Sequence, residues 1–390
     1  MGSRRSDSAE SRLIRATLFA FFVSGAASVM VGNLIPFIRE AYGIGYSQVG
    51  FLLSFPAWGN LAAIFITGFL PSYFGRRRTV LLTAVWMAVA FAIIGFGIGG
   101  STLLPAACLM IGVARGGNSN FSNTMMSTLP GKKAAQGYNL LHGVFAAGAV
   151  LSPLALVICS ELHPNGWRWM ARGILALCIA QLGVYLRMAL PAETVTGGGK
   201  KADYSFLKDR NFQIGSAILF FYISAEYAIV NWLVTYFKDT GILSANVSQL
   251  MTSLLWIVIF VGRMAGAAAV GKVSRRKLLL ADGIGLLLFF LLVFCGRSEL
   301  PIFAGIMGVG LFMSTIYTTA MALGTHNTKG NDLAVSTMIL TGSAGGIITP
   351  AVVGVVAQRV GMRMGMGVVV AVTILLLITI VISSRMCDNY

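Results

Sequence analysis

A carboxylate, Glu226, stands inside a long run of apolar residues. A charged side chain at the centre of a lipid bilayer costs about 2.5–3.5 kcal/mol, so its presence there indicates a role. A carboxylate shielded from water can exchange a proton, ligate Na⁺ or accept hydrogen bonds from solute hydroxyls. A structural salt bridge or helix contact is the alternative. We interpret Glu226 as the only carboxylate well inside a predicted membrane span.

A second polar feature is the stretch 115–123, which contains one Arg, three Asn and two Ser. Such side chains cannot face lipid, so they must line a cavity or bind neighbouring helices. Arg115 could hold an anionic substrate, pair with Glu226 across the two halves, or cap carbonyl groups of another helix. We predict substrate contacts for the arginine and for the amides Asn118, Asn120 and Asn123.

Other side chains in the apolar runs offer hydrogen bonds or stacking surfaces. His142 can titrate near neutral pH, although donation to a backbone carbonyl is the alternative. Trp232 could stack on a sugar ring or pack among other helices. Further predicted contacts, each with packing as the alternative, are Tyr222, Asn231, Trp58, Asn60 and Tyr317. No nucleophile, base or metal cluster converges, so we expect neither an enzyme nor a bound metal or cofactor.

The composition excludes a soluble protein. Of the 390 residues, 56% are apolar and only 11% are charged, whereas soluble domains have about 25% charged residues. The mean hydropathy is +0.80. Such a chain cannot cover a globular surface with polar groups, which excludes a soluble enzyme, a nucleic-acid-binding domain and a disordered chain.

A helix needs about 20 apolar residues to cross a bilayer. Twelve segments meet this requirement, so we predict an all-α membrane protein with spans at 14–38, 48–72, 79–99, 102–125, 136–160, 167–189, 211–237, 247–271, 278–296, 300–323, 333–357 and 362–384. The first follows basic residues, as in a signal peptide, but its apolar run continues to Ile38. We therefore expect it to be retained.

The distribution of basic residues predicts the orientation. With the N-terminus in the cytoplasm, 20 of the 29 Lys and Arg residues lie on the cytoplasmic side and 7 lie outside. We therefore expect a multi-pass protein of the cell inner (plasma) membrane, with both termini in the cytoplasm. The polar stretch 190–210 is expected to link an N-terminal bundle, 1–189, to a C-terminal bundle, 211–390.

The two halves repeat. The sequence Gly75-Arg76-Arg77-Arg78 precedes the third span, and Ser274-Arg275-Arg276-Lys277 precedes the ninth, 199 residues later. Parallel repeats of six spans are typical of one class of transporter.

A second matched pair supports the duplication. Gly148 and Pro153 in the fifth span correspond to Gly345 and Pro350 in the eleventh, 197 residues later. Proline bends helices, so these pairs predict bending points at a moving interface. Close packing of helices is the alternative.

The segment 68–78, which ends in Gly75-Arg76-Arg77-Arg78, resembles the loop signature of the major facilitator superfamily, with Ser72 where the signature has Asp. The pattern is most similar to the fucose:proton symporter and sodium-linked glucose transporter-like group. The segments that carry this similarity are 222–226, 231–232, 236, 262–263 and 141–145.

This resemblance implies two six-helix bundles around a central cavity and solute transport by alternating access. It also implies gating or structural contacts for Gly75, Arg76, Arg77 and Arg263. Proton-coupled members of the group carry carboxylates in spans 1 and 4, and this sequence has no clear acidic residue there.

The expected function is secondary transport of a small polar solute, above all a sugar, coupled to H⁺ or Na⁺. The expected partners are that solute, the coupling ion and the lipid bilayer, with no nucleic acid, and the protein is expected to be a monomer. An efflux porter for drugs or anionic metabolites is the alternative, and a membrane sensor or scaffold is the alternative from another class.

Overall fold

A computed structural model describes residues 2–127, 132–187, 204–269, 273–328 and 332–386. Within these ranges the chain is almost entirely α-helical, because helices satisfy their backbone hydrogen bonds without water. The first half contains α1 (Gly2–Tyr42), α2 (Tyr46–Phe74), α3 (Arg76–Phe96), α4 (Leu104–Ser127), α5 (Lys132–Leu162) and α6 (Gly166–Leu186). The second half contains α7 (Arg210–Thr240), α8 (Ala245–Ala269), α9 (Arg275–Cys295), α10 (Glu299–Met313), α11 (Ile316–Gly324), α12 (Asp332–Val360) and α13 (Met362–Met386).

Ten stretches in the described ranges are long and apolar enough to cross a membrane. One of them, Glu299–Gly324, consists of α10 and α11 in tandem. The remaining two predicted spans, 48–72 and 102–125, correspond to α2 and α4. The polar stretch 115–123 makes α4 less apolar than the other spans.

The tenth predicted span, 300–323, corresponds to the stretch Glu299–Gly324, which the structure divides into two helices. Ser314 and Thr315 separate α10 from α11. The Ser314 hydroxyl donates to the Leu311 carbonyl oxygen at 2.6 Å. Serine and threonine hydroxyls compete for backbone groups in this way, which weakens the helical ladder.

The ends of several helices have specific partners. Gly75 precedes α3 with φ of 78°, a conformation that L-residues rarely adopt. Two residues later, Arg77 Nη2 donates to the Leu186 carbonyl oxygen at 2.7 Å. This carbonyl lies in the last turn of α6, where backbone oxygens lack helical partners and a positive charge is favourable.

The predicted linker 190–210 lies mostly outside the described residues. Its last part forms a short 3₁₀ helix, Ser205–Lys208. Asp209 then caps α7, because its carboxylate accepts a hydrogen bond from the Phe212 amide at 2.8 Å.

The chain divides into two compact units. The first comprises residues 1–37 and 55–198, and the second comprises 38–54 and 199–390. The end of α1 and the beginning of α2 therefore group with the second unit. The predicted division at the linker stays a prediction.

In the first unit, glycines allow α1 and α5 to cross closely. A Cβ atom on Gly25 would overlap the Phe145 carbonyl oxygen, and one on Gly148 would overlap the Phe22 carbonyl oxygen. Small residues permit such backbone contacts between membrane helices. The second unit contains the matching crossing of α7 and α12, where a Cβ on Gly345 would meet the Phe220 carbonyl oxygen. Gly148 and Gly345 therefore serve close packing in both halves, and their role as bending points stays a prediction.

We expect Gly148→Leu to lower the thermal stability of the purified protein, because the new side chain would push α5 away from α1. Overpacking costs about 1–3 kcal/mol. The matched control is Gly173→Leu on α6, where an added Cβ has no neighbour within 4 Å. Unfolding in detergent, followed by tryptophan fluorescence, measures both variants. Equal melting temperatures for the two would contradict the close crossing.

Candidate functional site

A polar cluster lies among α7, α8 and α11 in the second unit. The Tyr222 hydroxyl hydrogen-bonds the carboxylate of Glu226, one turn further along α7. Tyr317 from α11 approaches Tyr222 edge-on, with 6.4 Å between ring centroids. Both tyrosines lie within electrostatic range of Glu226 and of Arg263 from α8. We call Tyr222, Glu226, Arg263 and Tyr317 the Glu226 cluster.

The Glu226 cluster combines opposite charges with two phenols. Glu226, Arg263 and Tyr317 are half-buried, whereas Tyr222 is buried. A carboxylate accepts hydrogen bonds, a guanidinium donates them, and a phenol does both. Such a set can bind the hydroxyl groups of a polar solute. Arg263 was expected to be a gating or structural residue, and the structure places it beside the predicted binding residues.

The side chains of Trp232 and Asn231 donate hydrogen bonds to backbone carbonyl oxygens. Trp232 is fully buried, and its indole Nε1 donates to the Pro350 carbonyl oxygen on α12 at 3.1 Å. Asn231 Nδ2 donates to the Tyr227 carbonyl oxygen on its own helix at 2.8 Å. In this structure Trp232 therefore packs α7 against the proline of α12. Solute contact by either residue stays a prediction.

One face of α4 is buried in the first unit and joins three helices. Asn118 is 1% exposed. Its Nδ2 donates to Ser24 Oγ on α1 at 3.1 Å, and its Oδ1 accepts from Gln181 Nε2 on α6 at 3.3 Å. These contacts support the helix-binding interpretation of Asn118, and the predicted substrate contact remains untested.

The other polar residues of α4 lie on more accessible faces. Arg115 and Asn123 are half-buried, and Asn123 Nδ2 donates to Ser119 Oγ at 3.4 Å. Their spacing of four residues places Arg115, Ser119 and Asn123 along one face. Asn120 is exposed and donates to Thr67 Oγ1 on α2 at 2.7 Å. Solute contact by Arg115, Asn120 and Asn123 stays a prediction.

The remaining predicted contacts are dispersed in the first unit. His142 is exposed on α5, and its ring lies 6.0 Å from the Phe21 ring on α1. Trp58 is 51% exposed on α2. Asn60 is half-buried and lies against Gly116 of α4. The structure does not join these three into one cluster.

Sequence reasoning missed a buried carboxylate, Asp282 on α9. Its side chain is 4% exposed and accepts a hydrogen bond from the Thr315 hydroxyl at the break between α10 and α11. Asp282 is thus a buried carboxylate that the sequence analysis did not single out. Asp282 follows the basic run 275–277 and lies near the start of a predicted span. Carboxylates at such positions are usually exposed, so its burial was not expected.

Among the predicted gating or structural residues, Arg77 has a defined structural contact. Arg77 caps α6, and Pro153 and Pro350 lie inside α5 and α12. Near Pro350, Ser54 Oγ donates to the Ile347 carbonyl oxygen at 2.5 Å. The half-buried Arg76 lies in the first turn of α3. Their roles in gating stay predictions.

A third polar cluster lies in the second unit, where α2 begins. Arg39 Nη1 and the Tyr46 hydroxyl both donate to Asp239 Oδ2, at 2.7 and 2.6 Å. The Arg39 guanidinium also lies 3.8 Å from the centre of the Tyr46 ring. Burial raises the pKa of Tyr46 and Asp239 raises it further, so the phenol keeps its proton and donates. Asp239 thus binds the segment 38–54 to α7.

Metal binding has no support in the described residues. No group of three or more His, Cys, Asp or Glu side chains is placed there to hold an ion.

Sequence comparison decides the family. The model of the Major Facilitator Superfamily matches residues 17–331. The chain belongs to this superfamily. It is therefore a multi-pass membrane transporter and not an enzyme, with twelve spans in two six-helix bundles.

Individual relatives agree with this assignment. The chain is 23% identical over 364 residues to a Helicobacter pylori protein provisionally named a glucose/galactose transporter, with 87% of each chain covered. Its fold matches that of the nucleoside transporter NupG with a TM-score of 0.80 at 10% identity, over 96% of this chain and 99% of the other. It also matches the Escherichia coli fucose:proton symporter FucP with a TM-score of 0.63 at 17% identity, over 96% and 99%. The predicted similarity to the fucose symporter group is confirmed.

We expect Asn118→Ala to destabilise the protein, because it leaves Ser24 and Gln181 without their partner inside the membrane. The expected loss is about 1–2 kcal/mol. Asn120→Ala is the matched control, since Asn120 is exposed on the same helix. Thermal unfolding of both variants in detergent measures the difference. A larger loss for Asn120→Ala would contradict the bridging role of Asn118.

We also expect Asp239→Asn to weaken the attachment of segment 38–54, because it removes the charged acceptor of two hydrogen bonds. The expected loss is about 1–3 kcal/mol. Glu40→Gln is the control, since the Glu40 side chain is 78% exposed and lies 3.5 Å from Lys238. Hydrogen exchange of the 38–54 amides measures the effect. Unchanged exchange in Asp239→Asn would contradict it.

Proposed function

We propose that this transporter moves a small, polyhydroxylated solute of the sugar class by alternating access, coupled to a cation. The observation that carries the proposal is the Glu226 cluster. Its carboxylate, guanidinium and phenols come from three helices, at a depth where ionised groups are rare and tied to function.

The chemistry of the Glu226 cluster fits sugar hydroxyls. Each hydroxyl can donate to a carboxylate and accept from a guanidinium, so a solute with neighbouring hydroxyls can use both charged groups. Hydrogen bonds to charged groups contribute about 1.5–3 kcal/mol each. The edge-on pair of Tyr222 and Tyr317 adds aromatic surface beside them.

The relatives support the same class of solute. The Helicobacter pylori relative is provisionally named for glucose and galactose, and FucP is a fucose symporter. NupG carries nucleosides, which contain a sugar ring. Cation coupling is supported by the proton symport of FucP.

We expect Glu226→Gln to weaken sugar binding by about tenfold to a hundredfold, the range that corresponds to losing one charged hydrogen-bond acceptor. Thermal-shift titrations with glucose, galactose, xylose, fucose, nucleosides and organic acids identify the solute. Counterflow of the best solute in proteoliposomes then gives its affinity for wild type and variant.

The matched control is Glu299→Gln, because Glu299 is an exposed carboxylate at the start of α10. It should bind solute as wild type does. Stabilisation by organic acids alone, lost in Arg115→Gln and kept in Glu226→Gln, would contradict the sugar proposal and favour an anion porter.

A further inference from the structure

The environment of Asp282 contains one hydroxyl donor and no counter-charge among the described residues. Asp282 is 4% exposed, and its Oδ2 accepts a hydrogen bond from Thr315 Oγ1. The ion pairs of the described residues, Arg39 with Asp239 and Lys238 with Glu40, do not include it. Burying a carboxylate without a counter-charge penalises its charged form.

The elements packed against α9 are α10, α11 and α13. Their other titratable side chains are Glu299, Tyr317, Arg363 and Arg385. Glu299 and the two arginines lie in the first or last turns of their helices, and none forms an ion pair with Asp282. The basic run of α9 itself, 275–277, is exposed.

Thr315 contacts Asp282 instead of capping its own helix. It occupies the N-cap position of α11, yet its side chain accepts no capping hydrogen bond. A threonine cap contributes about 1 kcal/mol to a helix. The Thr315 hydroxyl therefore donates to Asp282, at a position where a capping hydrogen bond would have stabilised α11.

The equivalent position in the first half of the repeat is occupied without a carboxyl group, so helix packing at this position does not require one. The offset of 199 residues that relates Arg76 to Arg275 also relates Thr83 on α3 to Asp282 on α9. Thr83 is buried and donates to the Val80 carbonyl oxygen of its own helix at 2.8 Å. Its methyl group lies against Gly117 of α4. The first half thus fills the equivalent position with a neutral residue.

We propose that Asp282 is a proton-binding site, and that its hydrogen bond with Thr315 links proton binding to the Glu226 cluster. Thr315 lies two residues before Tyr317, a member of that cluster. In the charged state the carboxylate accepts a hydrogen bond from Thr315 Oγ1 at Oδ2. A proton on Oδ1 neutralises the carboxyl group and weakens the Thr315 bond, which releases the start of α11. Broken helices form ion sites in other transporters. This inference rests on the proposed function and identifies the proton as its coupling ion.

The first test measures the proton directly, in the purified full-length protein. Infrared difference spectra between acidic and alkaline pH report the carbonyl band of a protonated carboxylic acid. We expect a titrating band that is lost in Asp282→Asn and kept in Glu226→Gln. Thr315→Val should shift this band, because it removes the hydrogen bond but preserves the side-chain shape. An unchanged band in both Asp282→Asn and Thr315→Val would overturn the proposal, as would a band that responds to Na⁺ rather than to pH.

The second test measures coupling in proteoliposomes that contain a pH-sensitive dye. On addition of the sugar found by thermal shift, we expect proton uptake to accompany sugar uptake in wild type and to be lost in Asp282→Asn. Proton uptake that persists in Asp282→Asn would overturn the coupling role. Absence of any sugar movement in wild type would contradict the proposed function instead, while the infrared spectra would still decide whether Asp282 binds a proton.

Discussion

The lack of water in the bilayer core is the constraint on which this structure depends, because backbone polar groups there must find their partners within the protein. Trp232 binds the carbonyl oxygen of Pro350. Asn118 joins α4 to α1 and α6. Each of these contacts satisfies a polar group and also holds two helices together. The same side chains would contribute far less specificity in water, where solvent offers competing partners.

Close packing follows from the same constraint. Lipid is as apolar as a leucine side chain, so helices gain little from apolar burial alone and depend on contact between backbones and on hydrogen bonds. Gly25 and Gly148 let α1 and α5 approach to backbone contact, and Gly345 does the same for α12 against α7. These crossings fix the geometry of both bundles.

The spans were predictable because a helix needs about 20 apolar residues to cross the bilayer, so the mean hydropathy of a segment of that length identifies a span. The repeat was predictable because Gly148 and Gly345 keep equivalent positions in the two halves. Hydropathy does not report how a helix is rotated about its axis, so the sequence could not distinguish the buried Asn118 from the exposed Asn120. Nor does it report contacts between distant residues. The break at Ser314 and Thr315, and the carboxyl group of Asp282 that faces it, became visible only when α9 and α10 were placed side by side.

The difference between the two halves indicates where function lies. A duplicated chain retains in both halves the residues that packing requires, and the paired glycines illustrate this. Thr83 in the first half faces a glycine, whereas Asp282 in the second faces a hydroxyl at a broken helix. The half-buried Glu226 also lies in the second unit, and α11 carries Tyr317 of the Glu226 cluster and has Thr315 at its N-cap. A site that binds solute and a site that binds a cation can influence each other only through an element with two arrangements. In the proposal made above α11 is this element, because a short helix that begins at a break within the span could shift without unfolding its neighbours.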